Sequence, residues 1–152
     1  MLKINKLADY GLVVMSCLAH HAEMPLNARE VAHYTHLSLP TVSKLLKLLT
    51  NAGLLFSSRG VRGGYRLAHA AEKISLKHML NALERDLNMT ECSQGLGHCS
   101  VEHFCGIRHN WKAINRVIQG TLMHITLADM LKPATKFKTQ VLEKLGEPIS
   151  HE

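Results

Sequence analysis

The chain has 152 residues, of which 46% are hydrophobic and 5% aromatic, and carries a formal net charge of +6. That length allows one globular unit or a small domain with an arm. A core poor in Phe, Tyr and Trp must be built from Leu, Ile, Val, Met and Ala, so the expected fold class is mostly α, and no apolar run approaches the length of a membrane span.

The start, MLKINKLADYGLVVMSCLA, imitates a secretory leader, but Asp9 interrupts it and no small-residue cleavage site follows His20 and His21. Leu7, Leu12, Met15 and Leu18 keep helical spacing, which predicts a first helix over about Lys6 to His20 and a cytoplasmic protein. Thiols stay reduced there. Four cysteines grouped as one plus three also argue against a disulfide framework. Cys17, among Val13, Val14, Met15 and Leu18, reads as packing.

A second helix is predicted from Asn27, its N-cap, to about Tyr34. After a short turn, Ser38 caps a third helix with a proline in its first turn, which runs through TVSKLLKLLTNAG to stop near Gly53. This is a helix-turn-helix layout. In it the third helix enters the major groove, and Thr41, Ser43, Lys44 and Lys47 reach bases and phosphates, while Leu45, Leu46, Leu48 and Leu49 form the apolar face.

Charge placement agrees. Residues 1–85 hold eleven Lys/Arg against five Asp/Glu, and residues 86–152 hold seven of each. No acid lies between Glu30 and Glu72, a gap that contains Lys44, Lys47, Arg59, Arg62 and Arg66, as a phosphate-facing surface requires; a solvated basic face is the blander alternative. Within the gap, LLFSSRGVRGGYRL reads as a β-hairpin whose loop holds Gly60, Gly63 and Gly64, with Arg59 and Arg62 at its tip. An arginine-tipped wing suits a minor groove.

A fourth helix is predicted over about Ser75 to Arg85, burying Ile74, Leu76, Met79, Leu80 and Leu83. Then Cys92, Cys99 and Cys105 fall within fourteen residues as C-x6-C-x5-C. Residues 90–104 hold two glycines and no sustained period, which predicts a loop shaped by whatever its cysteines bind. Soft thiolates so close together read as a metal or iron-sulfur site. A Cys3His zinc site using His98, His103 or His109 stays open, although the paired knuckles usual for structural zinc are missing.

The next segment places Ile107, Trp111, Ile114, Ile118, Leu122 and Ile125 at steps of three and four. Such a stripe needs a partner helix: in so short a chain a second copy is one candidate, which predicts a homodimer on a pseudo-palindromic double-stranded DNA site, and a core helix of the same chain is the other. After Leu131 a lysine-bearing tail is expected to be a short helix or disordered. No nucleophile-and-base arrangement or phosphate loop marks an enzyme.

KLADYGL, SLPTVSKLLKLLTNAGL, RGVRGGYRL, the ECS with its following cysteines, CGIRHNWKAIN and ITLADML together resemble the Rrf2 family of winged-helix repressors, in order and spacing, from about Met1 to Leu131. The resemblance is strongest to the branch that regulates the SUF iron-sulfur assembly operon. It implies a homodimeric transcription factor with a winged helix-turn-helix region over 1–85, a cysteine-rich cluster-binding loop over 86–105, a dimerisation helix and short terminal helix over 106–131, and a tail over 132–152. Cys92, Cys99 and Cys105 would ligate an iron-sulfur cluster, 2Fe-2S in preference to 4Fe-4S, whose state sets operator affinity.

Pro40, Ser43 and Lys44 match the family's base-reading positions and Arg59 its wing arginine. One branch has Ser, Glu and Gln at those three helix positions, so the operator sequence does not carry over. For the fourth ligand that branch uses a histidine three residues after the last cysteine; here Arg108 stands in that place, with His109 next. Another branch takes a carboxylate from the first helix of the other subunit, a position that Asp9 matches. The expected function is a cluster-dependent regulator of iron-sulfur assembly or stress genes, with no membrane partner. The alternatives are a zinc-stabilised regulator without redox sensing, or a cluster carrier whose basic half meets acidic proteins.

Overall fold

Each of the first helices begins where a side-chain acceptor relieves the orphan amides of its first turn. The computed structural model describes residues 5–84 and 87–146. Asn5 accepts from the Ala8 amide at 2.8 Å and opens α1, Lys6–His20. Asn27 and Glu30 form a reciprocal capping box at the head of α2, Ala28–Thr35. A turn through His36, which takes the left-handed conformation at φ 56°, leads to Ser38, the cap of α3, Leu39–Asn51.

Gly53, at φ +74°, ends that helix and turns the chain into β1, Leu55–Ser58, which pairs antiparallel with β2, Gly64–Leu67, in the register Leu55 with Leu67 and Ser58 with Gly64. The hairpin is fastened to the domain by a bridge between Leu26 and Tyr65, each donating to the other's carbonyl at 3.1 and 2.8 Å. A 3-10 turn, Ala71–Lys73, precedes α4, Leu76–Leu83, capped by Ser75. Three helices followed by a hairpin and a fourth helix make a winged helix-turn-helix.

The core is aliphatic, as the composition required. Val14 and Met15 of α1, Val31 of α2, Val42, Leu45, Leu46 and Leu49 of α3, and Met79 of α4 are wholly buried. Gly11 lets α1 cross α4 closely, since a β-carbon there would lie 2.3 Å from Leu83 Cδ1. Leu127 enters the same core from far down the chain.

Beyond the reader come α5, Glu91–Gln94, α6, Arg108–His124, α7, Leu127–Met130, and α8, Ala134–Gly146. The loop expected over 90–104 thus contains one helical turn, α5, flanked by Thr90 and Gly95 at its cap positions. Four residues are too few to leave a period in the sequence. Of the tail, Ala134–Gly146 forms α8, the helical one of the two expected states. Arg85, the expected end of the fourth helix, the boundary between 85 and 86, and His151 lie outside the described residues.

The long helix does not bury its apolar stripe within the chain. Its one buried residue is Asn115, while Ile114, Val117 and Met123 are exposed, as is Ile107 just ahead of it. Trp111, Ile118 and Leu122 are half-buried, and Ile125 is buried beyond the helix end. The reason is polar: Asn115 donates to Asn88 Oδ1 at 2.8 Å and accepts from the Met89 amide at 3.3 Å, and Gln119 donates to the Leu87 carbonyl at 3.1 Å. Backbone groups of residues 87–89 need partners, and α6 turns its amides inward to supply them. Among the described residues no helix is long and apolar enough to cross a membrane.

Candidate metal centre and nucleic-acid interface

The core packing of α3 decides which of its residues remain free. With Val42, Leu45, Leu46 and Leu49 buried, Pro40, Ser43, Lys44 and Lys47 are exposed and recur at three- and four-residue steps on one face. Thr41 differs from them. It is half-buried, and its hydroxyl shares a 2.8 Å hydrogen bond with Ser38, so it reinforces the cap. Arg59 and Arg62 are exposed in the wing loop on either side of Val61, the most exposed large apolar side chain of the molecule's described residues. Arg66 lies over the Phe56 ring, 5.8 Å from its centroid, and stiffens the wing.

The wing's shape depends on contacts that only glycine permits. A β-carbon at Gly63 would stand 2.4 Å from the Ser58 carbonyl oxygen, and one at Gly64 2.7 Å from the Leu26 carbonyl.

The cysteines lie on the segment between α4 and α6. Cys92 is buried in α5, 6% exposed, with the Thr90 hydroxyl 3.2 Å from its sulfur; Cys99 and Cys105 are half-buried, and all are free thiols. Gly97, at φ +84°, turns the chain between Cys92 and Cys99. Asp9 is exposed in the first turn of α1, and His98, His103 and His109 are exposed as well. Among the described residues no three His, Cys, Asp or Glu side chains converge into a group that could hold a metal ion.

The donors nevertheless fit a thiophilic metal in kind, being three reduced thiols on one short segment. A second observation agrees. Arg108 Nε is buried without a hydrogen-bond partner, and metal-bound sulfur would give such a donor its acceptor. Binding would require the segment to close around the ligand, as metal sites coupled to local folding do.

Sequence reasoning did not single out Glu102, and it named Arg108 only as the residue in a ligand histidine's place. Glu102 is 4% exposed, accepts from the Gly97 amide at 2.9 Å and pairs with Arg108 at 3.6 Å. Arg108 therefore cannot stand in for a ligand histidine: a guanidinium has no lone pair to offer. Cys17 belongs to the core edge, where burial pushes its thiol up from the ordinary range.

Residues 4–133 match the family described as Rrf2, iron-dependent transcriptional regulator. The chain belongs to the Rrf2 family of transcriptional regulators. Its relatives include the protein rrf2 of Nitratidesulfovibrio vulgaris, 30% identical over 135 residues, covering 88% of this chain and 90% of that protein. Among solved structures, CymR, described as the global cysteine regulator of B. subtilis, is 31% identical with a TM-score of 0.67, covering 86% of this chain and 97% of that one. IscR of T. potens is 32% identical with a TM-score of 0.65, covering 86% of each chain. These relatives are regulators, not enzymes, and the winged-helix reading of this Rrf2 chain stands with them.

Proposed function

We propose that this Rrf2 regulator is a cytoplasmic, homodimeric repressor whose hold on double-stranded operator DNA depends on an iron-sulfur cluster bound by Cys92, Cys99 and Cys105. What carries the reading is the position of the three free thiols: they occupy the joint between the DNA-facing domain and α6, a helix that leaves Ile114, Val117 and Met123 exposed. A cluster, when bound, would tie the thiolates of that joint together, 2Fe-2S being the form favoured. Asp9 and His109 are the candidate fourth donors, and the fold leaves both accessible.

The chain's own residues do the rest. Pro40, Ser43 and Lys44 face bases, Thr41 holds the first turn that presents them, and Lys47 meets phosphate. Arg59 and Arg62 carry the wing into the adjacent minor groove. A second copy covering the apolar side of α6 would set two α3 helices one DNA turn apart. Coupling of about 2 kcal/mol between joint and reader would change operator affinity roughly thirtyfold. The target genes are those of iron-sulfur assembly or a related stress response, in line with the sequence blocks that resemble the SUF branch.

The deciding measurement is an absorption spectrum of protein purified without oxygen, beside Cys99→Ala. Visible absorption in the parent, its loss in the variant and an altered operator affinity are expected. An unchanged visible spectrum in Cys99→Ala removes cysteine ligation, and zinc without iron would leave a metal-stabilised regulator without redox chemistry.

A further inference from the structure

Two of the three cysteines are followed, three residues on, by a charged residue, and the fold treats both alike. In Cys99-Ser100-Val101-Glu102 the Glu102 amide donates to the Cys99 carbonyl at 3.2 Å. In Cys105-Gly106-Ile107-Arg108 the Arg108 amide donates to the Cys105 carbonyl at 3.4 Å. The side chains that leave these two turns then meet, Arg108 Nη2 standing 3.6 Å from Glu102 Oε1, with 17% and 2% of the respective side chains exposed. The other carboxylate oxygen accepts from the Gly97 amide at 2.9 Å.

One carboxylate thus joins residue 97, ahead of Cys99, to residue 108, beyond Cys105. Burying a carboxylate is unfavourable unless a cation and donors compensate it, and neither solubility nor packing explains one inside a short exposed segment. Removing either partner leaves the other charge buried and unpaired. Such pairs fix geometry more than they add stability.

We infer that Glu102 and Arg108 are positioning residues: their ion pair couples the two cysteine turns and holds the Cys99 and Cys105 thiols at a set separation in the polypeptide itself. The inference deepens the metal-centre reading and takes its purpose from it, but the pairing belongs to the chain and is testable without metal.

Full-length, reduced, metal-free protein is alkylated with iodoacetamide, and each thiol is followed by peptide mass spectrometry. Glu102→Gln and Arg108→Met are expected to raise the rates at Cys99 and Cys105 about tenfold by loosening the segment locally. Cys17 should stay slow and report an intact core, and Arg108→Lys should recover most of the protection. Unchanged rates at Cys99 and Cys105 in Glu102→Gln, with Cys17 still slow, overturn the pairing. Should the variants unfold, the parent protein decides alone: the Gly97 amide must exchange its hydrogen at least about tenfold more slowly than an unstructured amide, and an unprotected Gly97 overturns the inference.

Anaerobic loading with ferrous iron and sulfide completes the test. A parent that takes up no iron while the thiol and exchange results hold overturns the cluster reading and supports the pairing. A loaded parent whose spectrum and thiol rates match those of Glu102→Gln overturns the pairing and leaves the cluster reading standing.

Discussion

At Gly64 the peptide chain of the wing passes so close to Leu26 that a single methyl group has nowhere to go. The obstructing atoms are backbone, the Leu26 carbonyl carbon and oxygen at 2.7 Å, so no side-chain rotation relieves the clash. Gly64→Ala is expected to destabilise the protein by about 2 kcal/mol, the usual scale of overpacking, and to break the Leu26 to Tyr65 bridge; urea unfolding checks it. Gly60, with open space around its β-carbon position, provides the contrast within the same wing, although its φ of +112° still disfavours other residues. Lys47 is exposed on the side of α3 that faces away from the core. Lys47→Ala should weaken binding to all sequences and lower the slope of log affinity against log salt by about 0.9, the share of one phosphate contact; an unaltered slope places it off the backbone.

Single residues were legible where one local rule decides them. Asn27 and Ser38 read as caps because a short acceptor ahead of an apolar period has few other uses. Glu102 was not legible, because a glutamate between two cysteines reads as solvated surface until the fold shows its carboxylate buried against Arg108.

Among elements, α1 to α4 and the hairpin follow from periodicity and punctuation, and their ends agree with the structure to within a residue or two. The face of α6 does not. Counting apolar residues predicts one stripe, whereas hydrogen-bond demand from residues 87–89 turns Asn115 and Gln119 inward and leaves Ile114 and Val117 outside. That demand comes from a segment distant in sequence, so no window of α6 contains it. If a second copy covers the outer apolar side, Ile114→Glu should yield monomer in sedimentation equilibrium with the helix content retained, and its operator affinity should fall by at least about a hundredfold as the second half-site is lost. A variant that still sediments as a dimer would exclude this face from the contact.

For the molecule as a whole, the sequence suggested a reader followed by separate parts, and the structure shows how far the later chain is woven into the earlier. Leu76 donates to the Ile125 carbonyl at 2.7 Å, and Leu127 to the Ile74 carbonyl at 2.8 Å, so the end of α6 is stitched to the start of α4. Leu127, 1% exposed, then completes the aliphatic core against α1. Such long-range closure leaves no local trace, since Leu127 by itself is one more apolar residue in a short amphipathic run. The cysteine segment therefore lies between two helices, α4 and α6, that are also tied to each other through the backbone at 74–76 and 125–127.

This stitching sets how the protein should respond to a cut. A protease that nicks the chain between Gly95 and Phe104, where Leu96 and Phe104 protrude, would sever every covalent tie between the front half and α6. The two fragments should still travel as one species through gel filtration and part only in denaturant, because Leu127 and the paired backbones at 74–76 and 125–127 hold them together without a peptide link.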